Sequence, residues 1–229
     1  MKTNYTDITI ILDRSGSMEL IARETISGFN KFLSDQRRLS GEMTLTLVQF
    51  NQEIELVLDA QPIGEARSLD RSQYRPEGST ALLDAIGQSI DRTGARLRKM
   101  AEGDRPSKVV VVILTDGLEN ASRTYSTEQV LGMIRHQREK YGWEFVFLGA
   151  NQDAIQEAAK IGIAPDAALT YAANGAGSKA AYAAMSRLIQ SLRQGPGAPA
   201  AFTDEDRQSQ GRLLNRRPKQ KDSSTNPRK

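Results

Sequence analysis

The segment that most constrains the fold is an apolar run near the middle of the chain. Residues 107–115 contain four consecutive valines followed by isoleucine and leucine, so a strand built from them is apolar on both faces. Strands of this kind lie inside parallel sheets that helices cover on both sides. Residues 5–13, with three isoleucines and one leucine, predict a second buried strand. Together the two segments predict a parallel sheet as the core of the protein.

Strand and helix patterns alternate along most of the chain. Apolar residues at intervals of three and four predict helices that begin near Met18, Thr80 and Ser126. Two apolar runs separated by Asn-Gln-Glu predict a hairpin, which favours one antiparallel pair in the sheet. The alternation predicts an α/β domain with helices on both faces of the sheet. The hairpin runs are residues 43–50 and 54–58; further strands are predicted at 143–149 and 167–171, and further helices at 153–161 and 178–192.

The C-terminal part of the sequence has a different character. The periodicity stops at Gly195, where a Gly-Pro-Gly-Ala-Pro stretch begins. From Thr203 to Lys229 there are eight Lys or Arg, four Asp or Glu and few apolar residues, in a chain whose net charge is +3. Such segments do not bury enough apolar surface to offset the entropy lost on ordering. We therefore predict a folded domain at residues 1–194 and a disordered basic tail at residues 195–229.

The composition excludes several classes of function. The chain has no cysteine, which excludes disulfides, iron–sulfur clusters and thiolate zinc sites. The first residues show no signal-peptide pattern. The longest apolar run, from Val109 to Leu114, is too short to span a membrane. We expect a cytoplasmic protein that makes no membrane contact and is a monomer.

Five side chains with oxygen donors are expected to meet at one edge of the sheet. Asp13 ends the first strand, and Ser15 and Ser17 follow it at alternate positions. Asp116 follows the central strand, and Thr80 precedes a long helix. Ligands of open α/β sheets bind at the carboxyl ends of the strands. A set of two carboxylates and three hydroxyls suits a hard divalent cation, Mg²⁺ first and Mn²⁺ or Ca²⁺ as alternatives.

These residues belong to three motifs that carry a family resemblance. Taken in this order and at these strand ends, the motifs resemble the metal-ion-dependent adhesion site of von Willebrand factor A (vWA) domains. The resemblance covers roughly residues 5–193. The motifs are Asp13-x-Ser15-x-Ser17, Thr80 within Gly-Ser-Thr-Ala-Leu-Leu-Asp-Ala, and Thr115-Asp116-Gly117.

The resemblance implies a Rossmann-like fold with one antiparallel edge strand and no catalytic activity. It implies that Ser15, Ser17 and Thr80 bind the metal directly. Asp13 and Asp116 would bind it directly or through water. In the family, an Asp or Glu of a protein partner takes the open coordination position. In cytoplasmic bacterial members the partners are often ring-forming ATPases or components of stress and phage-related systems.

Two other functions remain open. An aspartate at the end of a first strand, together with Mg²⁺, also describes phosphotransfer enzymes, in which Asp13 would be the nucleophile. Those enzymes usually carry a second carboxylate two residues later, where this chain has Ser15, and the sequence has no P-loop and no Gly-x-Ser-x-Gly motif. The basic tail could attract nucleic acid but lacks interleaved aromatic residues that stack on bases. A metal-dependent protein-binding module is the favoured prediction.

Other polar residues near the motifs allow simpler interpretations. Asp84 is expected to support the backbone near Thr80 rather than to bind the metal. His136, the one histidine of the chain, is expected on the surface of a helix. For Arg14 and Glu119, a role in partner specificity and plain solvation are equally open.

Overall fold

A six-stranded sheet forms the centre of the computed structural model, which describes residues 1–150, 153–195 and 200–215. Its strands follow the order β3-β2-β1-β4-β5-β6, and all neighbours are parallel except β2 and β3. This arrangement confirms the predicted Rossmann-like α/β fold with one antiparallel edge strand. The strands are β1 (Lys2–Asp13), β2 (Glu42–Phe50), β3 (Ile54–Pro62), β4 (Pro106–Thr115), β5 (Glu144–Ala150) and β6 (Ala168–Tyr171).

Helices cover the sheet on both faces. A short 3₁₀-helix, Gly16–Ile21, leads from β1 into the first α-helix. Alternate residues of β1 point to opposite faces of the sheet. The helix that contains Thr93 (Leu82–Lys99) covers one of these faces, because the hydroxyl of Thr93 lies 3.2 Å from the hydroxyl of Thr9 in β1. Within the described residues, no helix has the length and apolar character needed to cross a membrane. The helices are α1 (Ala22–Arg37), α2 (Leu82–Lys99), α3 (Thr127–Tyr141), α4 (Ala154–Lys160), α5 (Gly175–Gln194) and α6 (Asp204–Leu214).

The two strands predicted from their apolar runs are neighbours at the centre of the sheet. β1 pairs with β2 on one side and β4 on the other, and the apolar side chains of both central strands are buried. The predicted hairpin forms through β2 and β3. A capping box at Ser126 begins α3, as the sequence indicates. The carboxyl ends of β1 and β4 therefore lie side by side, at the end of the sheet where the parallel strands finish.

The predicted disordered tail is wrong for residues 200–215. The side chains of Ala200 and Phe202 are buried in the core, and α6 packs against β6 and α5. Thr203 and Asp206 form a capping box that begins α6. The prediction failed because α6 is held mainly by polar contacts and has no apolar face for periodicity to detect. Residues 196–199 and 216–229, with six of the eight basic residues of the predicted tail, lie outside the described residues.

Helix α6 covers the outer edge of β6. Arg207 donates to the backbone carbonyl of Ala168 over 2.8 Å. Gln210 accepts from the backbone N–H of Ala172 over 3.3 Å and donates to the carbonyl of Gly177 over 3.0 Å. An uncovered edge strand presents such groups to other chains and promotes association. These side chains satisfy them from within the same chain.

We expect a chain that ends at Gly195 to be less stable and to self-associate. Removal of the later residues takes away the buried Phe202 and uncovers the backbone groups of β6. The melting temperature should fall by roughly 5–10 °C. Calorimetry and light scattering would measure both effects. A matched chain that ends at Asn215 keeps α6 and should behave as the full chain does; equal melting temperatures for the two shortened chains would contradict the expectation.

Candidate metal centre

The fold brings the five predicted residues together at the carboxyl edge of β1 and β4. Asp13 is the last residue of β1, and Asp116 directly follows β4. Ser15 and Ser17 lie at the start of the 3₁₀-helix, and Thr80 lies just before α2. Because β1 and β4 are parallel neighbours, their ends carry the two carboxylates to the same place. We call these five residues the rim cluster.

Hydrogen bonds connect four members of the rim cluster. Asp13 Oδ1 accepts from the backbone N–H of Ser15 over 2.7 Å. The hydroxyl oxygens of Ser15 and Ser17 are 3.2 Å apart. Ser17 Oγ donates to Asp116 Oδ1 over 2.5 Å. These bonds join the four residues into one group instead of leaving them as separate surface side chains.

Thr80 joins the rim cluster across the backbone of Gly117. A Cβ atom placed on Gly117 would lie 2.8 Å from Thr80 Oγ1 and 3.7 Å from Asp13 Oδ2. The threonine hydroxyl and the aspartate carboxylate thus face the same small space. Glycine is required at this position because a larger residue would push into the cluster.

The rim cluster is closed toward the core and open toward solvent. Asp13, Ser15 and Thr80 are buried, with relative exposures of 0%, 2% and 3%. Asp116 is half-buried, and Ser17 is exposed. A ligand would therefore reach the cluster from the side of Ser17 and Asp116.

Two residues outside the rim cluster hold Asp13 in place. Thr115 Oγ1 donates to Asp13 Oδ2 over 2.6 Å, so both carboxylate oxygens of Asp13 are engaged. The hydroxyl of the fully buried Tyr74 donates to the backbone carbonyl of Asp13 over 2.6 Å. Thr115 belongs to a quoted motif and could have been assigned. Tyr74 lies in an irregular segment that carries no local signal.

Two asparagines fix the segment that carries Thr80. Asn120 Oδ1 accepts from the backbone N–H of Thr80 over 2.9 Å, and the N–H of Asn120 donates to the carbonyl of Thr80 over 3.0 Å. The carbonyl of Asn51 accepts from the N–H of Ala81 over 2.8 Å. Its side-chain amide donates to the carbonyl of Glu77 over 3.0 Å. These bonds tie three distant loops to one another around the cluster.

Asp84 and Glu119 organise backbone instead of facing the rim cluster. Asp84 accepts from the backbone N–H groups of residues 123–125 over 2.8–2.9 Å. Burial raises the pKa of Asp84, but these donors outweigh that effect and lower the pKa overall. Glu119 accepts from the backbone N–H of Leu83 over 2.9 Å and from Ser122 over 2.7 Å. The structural role predicted for Asp84 agrees with these contacts.

Arg14 and His136 lie in different surroundings from each other. Arg14 is mostly buried and lies 3.6 Å from the carboxylate of Glu55 on β3. His136 lies on the exposed side of α3, as expected. Arg14 is therefore a paired residue at the margin of the rim cluster.

The two carboxylates of the rim cluster are held at an energetic cost. Burial raises the pKa of Asp13 to about 6; hydrogen bonds from Thr115 and Ser15 oppose this rise, and the charge of Asp116 adds to it. Burial also raises the pKa of Asp116, against the hydrogen bond from Ser17. A bound cation would favour the ionised form of both groups.

The donor set fits a hard divalent cation. All five side chains offer oxygen, the ligand type that Mg²⁺, Mn²⁺ and Ca²⁺ prefer. Among the described residues, no group of three or more His, Cys, Asp or Glu residues is placed to hold a metal. A cation bound here would therefore also need the hydroxyl groups of Ser15, Ser17 and Thr80 as ligands.

A family comparison agrees with this geometry. The model of the von Willebrand factor type A domain matches residues 7–192. The chain belongs to the vWA domain family. vWA domains commonly bind a divalent metal through a metal-ion-dependent adhesion site and often mediate metal-dependent protein interactions. In this vWA domain the match ends within α5, so α6 lies beyond it.

Solved structures share the fold at low sequence identity. Proximal thread matrix protein 1 of the mussel byssus is 16% identical with a TM-score of 0.58, over 79% of this chain and 47% of that chain. The pilus adhesin SpaC from Lactobacillus rhamnosus GG, in its open conformation, is 18% identical with a TM-score of 0.60, over 82% and 30%. A von Willebrand factor type A protein from Catenulispora acidiphila is 16% identical with a TM-score of 0.51, over 80% and 42%.

At these identities the likeness concerns the fold alone. The vWA domain chain described here spans less than half of the length of each of these three proteins. A search of curated proteins gives no significant match.

We expect Asp13→Asn to stabilise the metal-free vWA domain at pH 7.5. Asp13 has a pKa of about 6 in the folded protein against an ordinary 3.8, so the stability it contributes is present below about pH 4 and is lost as the pH rises through 6. An asparagine can still accept from the Ser15 N–H, and the Thr115 hydroxyl can donate to the carbonyl of Gly117, 3.0 Å away. The gain should be about 1–3 kcal/mol.

Calorimetry in the presence of a chelator would measure this gain. The difference between the variant and the wild type should narrow at pH 4.5, where Asp13 is protonated in the folded wild type. A variant that is less stable than the wild type at pH 7.5 would show that the buried charge is not destabilising.

Proposed function

We propose that this protein is a metal-dependent protein-binding module that captures an acidic residue of a partner, and not an enzyme. One observation carries the proposal: the rim cluster is a continuous set of oxygen donors that is buried on one side and open to solvent at Ser17 and Asp116. Asp13, Ser15, Ser17, Thr80 and Asp116 would hold the cation. Mg²⁺ is the first candidate, with Mn²⁺ and Ca²⁺ as alternatives.

The open coordination position explains how a carboxylate could be captured. Two carboxylates formally balance a dication, and the three hydroxyls add no charge. Mg²⁺ takes six ligands in near-octahedral geometry, so five protein side chains leave at least one position for water or an incoming group. An Asp or Glu of the partner would replace that water and strengthen the cation's coordination. The protein's own residues bind and orient; no bond is made or broken.

The surroundings of Asp13 support binding over phosphotransfer. A nucleophilic aspartate must present a carboxylate oxygen to a phosphoryl group, which needs far more room than a cation does. Both oxygens of Asp13 already accept hydrogen bonds, from the Ser15 N–H and from Thr115, and the side chain is fully buried. His136 lies on the exposed side of α3 and not among the rim cluster's hydrogen-bonding partners.

The remaining parts of the proposal rest on the sequence. A ring-forming ATPase is one candidate partner, suggested by the family resemblance, and we propose a cytoplasmic monomer that makes no membrane contact. Nucleic-acid binding through the basic tail receives less support. In the described part of that segment, Arg207 is engaged with the carbonyls of Pro165, Asp166 and Ala168.

The first test of the proposal is cation binding. Titration calorimetry with Mg²⁺ or Mn²⁺ should show one site in the wild type and no measurable site in the Asp13→Ala/Asp116→Ala double variant. The double variant should keep its fold, because the rim cluster lies at the edge of the sheet. Asp104→Ala, an exposed carboxylate change in a short 3₁₀-helix elsewhere, is the matched control and should bind as the wild type does. Equal binding by the double variant would refute the site.

The second test separates metal binding from partner binding. We expect Thr80→Ala to weaken partner capture by roughly tenfold or more while changing Mg²⁺ affinity less. Thr80 reaches the rim cluster from a different segment, so its hydroxyl can engage when the cluster adjusts around an incoming carboxylate. Affinity capture with the wild type and the variant, with and without chelator, gives the measurement. A partner that binds equally well in excess chelator would exclude capture through the metal.

A further inference from the structure

Two exposed leucines flank the rim cluster. Leu20 is 86% exposed and Leu118 is 58% exposed. Leu20 follows Ser17 by three residues in the 3₁₀-helix, where residues three apart share a face. Leu118 follows Asp116 by two residues on the other side. Ser17 and Asp116 are hydrogen-bonded to each other on the solvent-facing side of the cluster, so each leucine lies within three residues along the chain of that opening.

Leu118 also forms one wall of an apolar groove. The groove has a volume of about 240 Å³. A dry cavity of about 150 Å³ accommodates benzene, so the groove has room for one large apolar side chain. The charged groups at its border are already engaged, since Lys160 pairs with Glu157 over 2.7 Å and Glu119 binds backbone N–H groups. The other apolar walls are Leu82, Leu83, Phe147 and Ile161.

Two of the charged side chains close to the cluster along the chain, Glu19 and Arg14, have partners of their own. Glu19 and Arg71 form an ion pair over 2.5 Å. Arg14 lies 3.6 Å from Glu55. A polar contact between a partner and these pairs would replace contacts with water and would contribute little to affinity. Burial of the exposed leucines removes apolar surface from water and contributes more.

We infer that the partner presents its acidic residue next to a large apolar residue. This inference rests on the proposed function: the carboxylate completes the cation's coordination, the apolar side chain enters the groove beside Leu118, and Leu20 packs against the segment from the other side. Asp116 and Leu118 are two residues apart, which limits their separation to roughly 7 Å. Alternate residues of an extended segment lie at about the same spacing. The recognised pattern is therefore Asp or Glu and a large apolar residue with one residue between them.

Two synthetic peptides test the inference. One contains Leu-Ser-Asp-Ser-Leu between Gly-Ser ends, and the other has serine in place of both leucines. In Mg²⁺, fluorescence polarisation should show roughly tenfold tighter binding of the leucine peptide, which corresponds to the burial of about one leucine side chain. The Leu20→Ser/Leu118→Ser variant should lose most of that preference and keep its Mg²⁺ affinity. Leu214→Ser, which changes an exposed leucine on α6, is the matched control and should keep the preference.

The outcomes separate this inference from the proposed function. Equal, chelator-sensitive binding of the two peptides would overturn the inference and leave capture through the metal intact. A preference for leucine that survives chelator would support the apolar surface and overturn capture through the metal. A preference that persists in the Leu20→Ser/Leu118→Ser variant would overturn the assignment to these leucines. Failure of both peptides to bind at millimolar concentration would overturn the inference as well.

Discussion

The fully buried carboxylate of Asp13 is the constraint around which the rim of the sheet is organised. It stands at the end of β1, beside the end of β4, where Asp116 brings a second carboxylate. A buried charge is costly unless hydrogen bonds or an opposite charge compensate for it. Thr115 and the Ser15 backbone supply the hydrogen bonds, and the cluster of hydroxyls leaves room for the opposite charge to be a cation. In the proposed function, metal affinity would follow from the free-energy cost of burying this carboxylate during folding.

The same constraint accounts for the surrounding loops. The hydroxyl of Tyr74 binds the backbone carbonyl of Asp13, and the side chain of Asn120 binds the backbone of Thr80. The absence of a side chain at Gly117 leaves room for the Thr80 hydroxyl. None of these residues adds charge to the rim cluster. They restrict the positions of its oxygen atoms. A cation needs its ligands at well-defined positions, and mobile surface carboxylates would not supply them.

Two features give this chain properties beyond the motif itself. α6 extends past the residues that match the family and closes the β6 edge with Arg207 and Gln210. Near the rim cluster, Leu20 and Leu118 add exposed apolar surface to a region built from polar groups. The first feature covers backbone groups of β6 that could otherwise pair with another chain, and under the inference drawn above the second would distinguish one acidic segment from another.

The sequence by itself determined the sheet, the antiparallel edge and the five members of the rim cluster. Apolar runs and their spacing identify strands and helices, and the carboxyl ends of parallel strands must share an edge, so Asp13 and Asp116 could be placed together without a structure. Only the tertiary structure decided the roles of Tyr74, Asn51 and Asn120, because their hydrogen bonds join residues 26 to 61 positions apart and leave no periodic trace. It also decided that residues 200–215 fold onto the domain, since a helix held by an ion pair, a capping box and side-chain bonds to backbone has no apolar stripe from which it could be predicted.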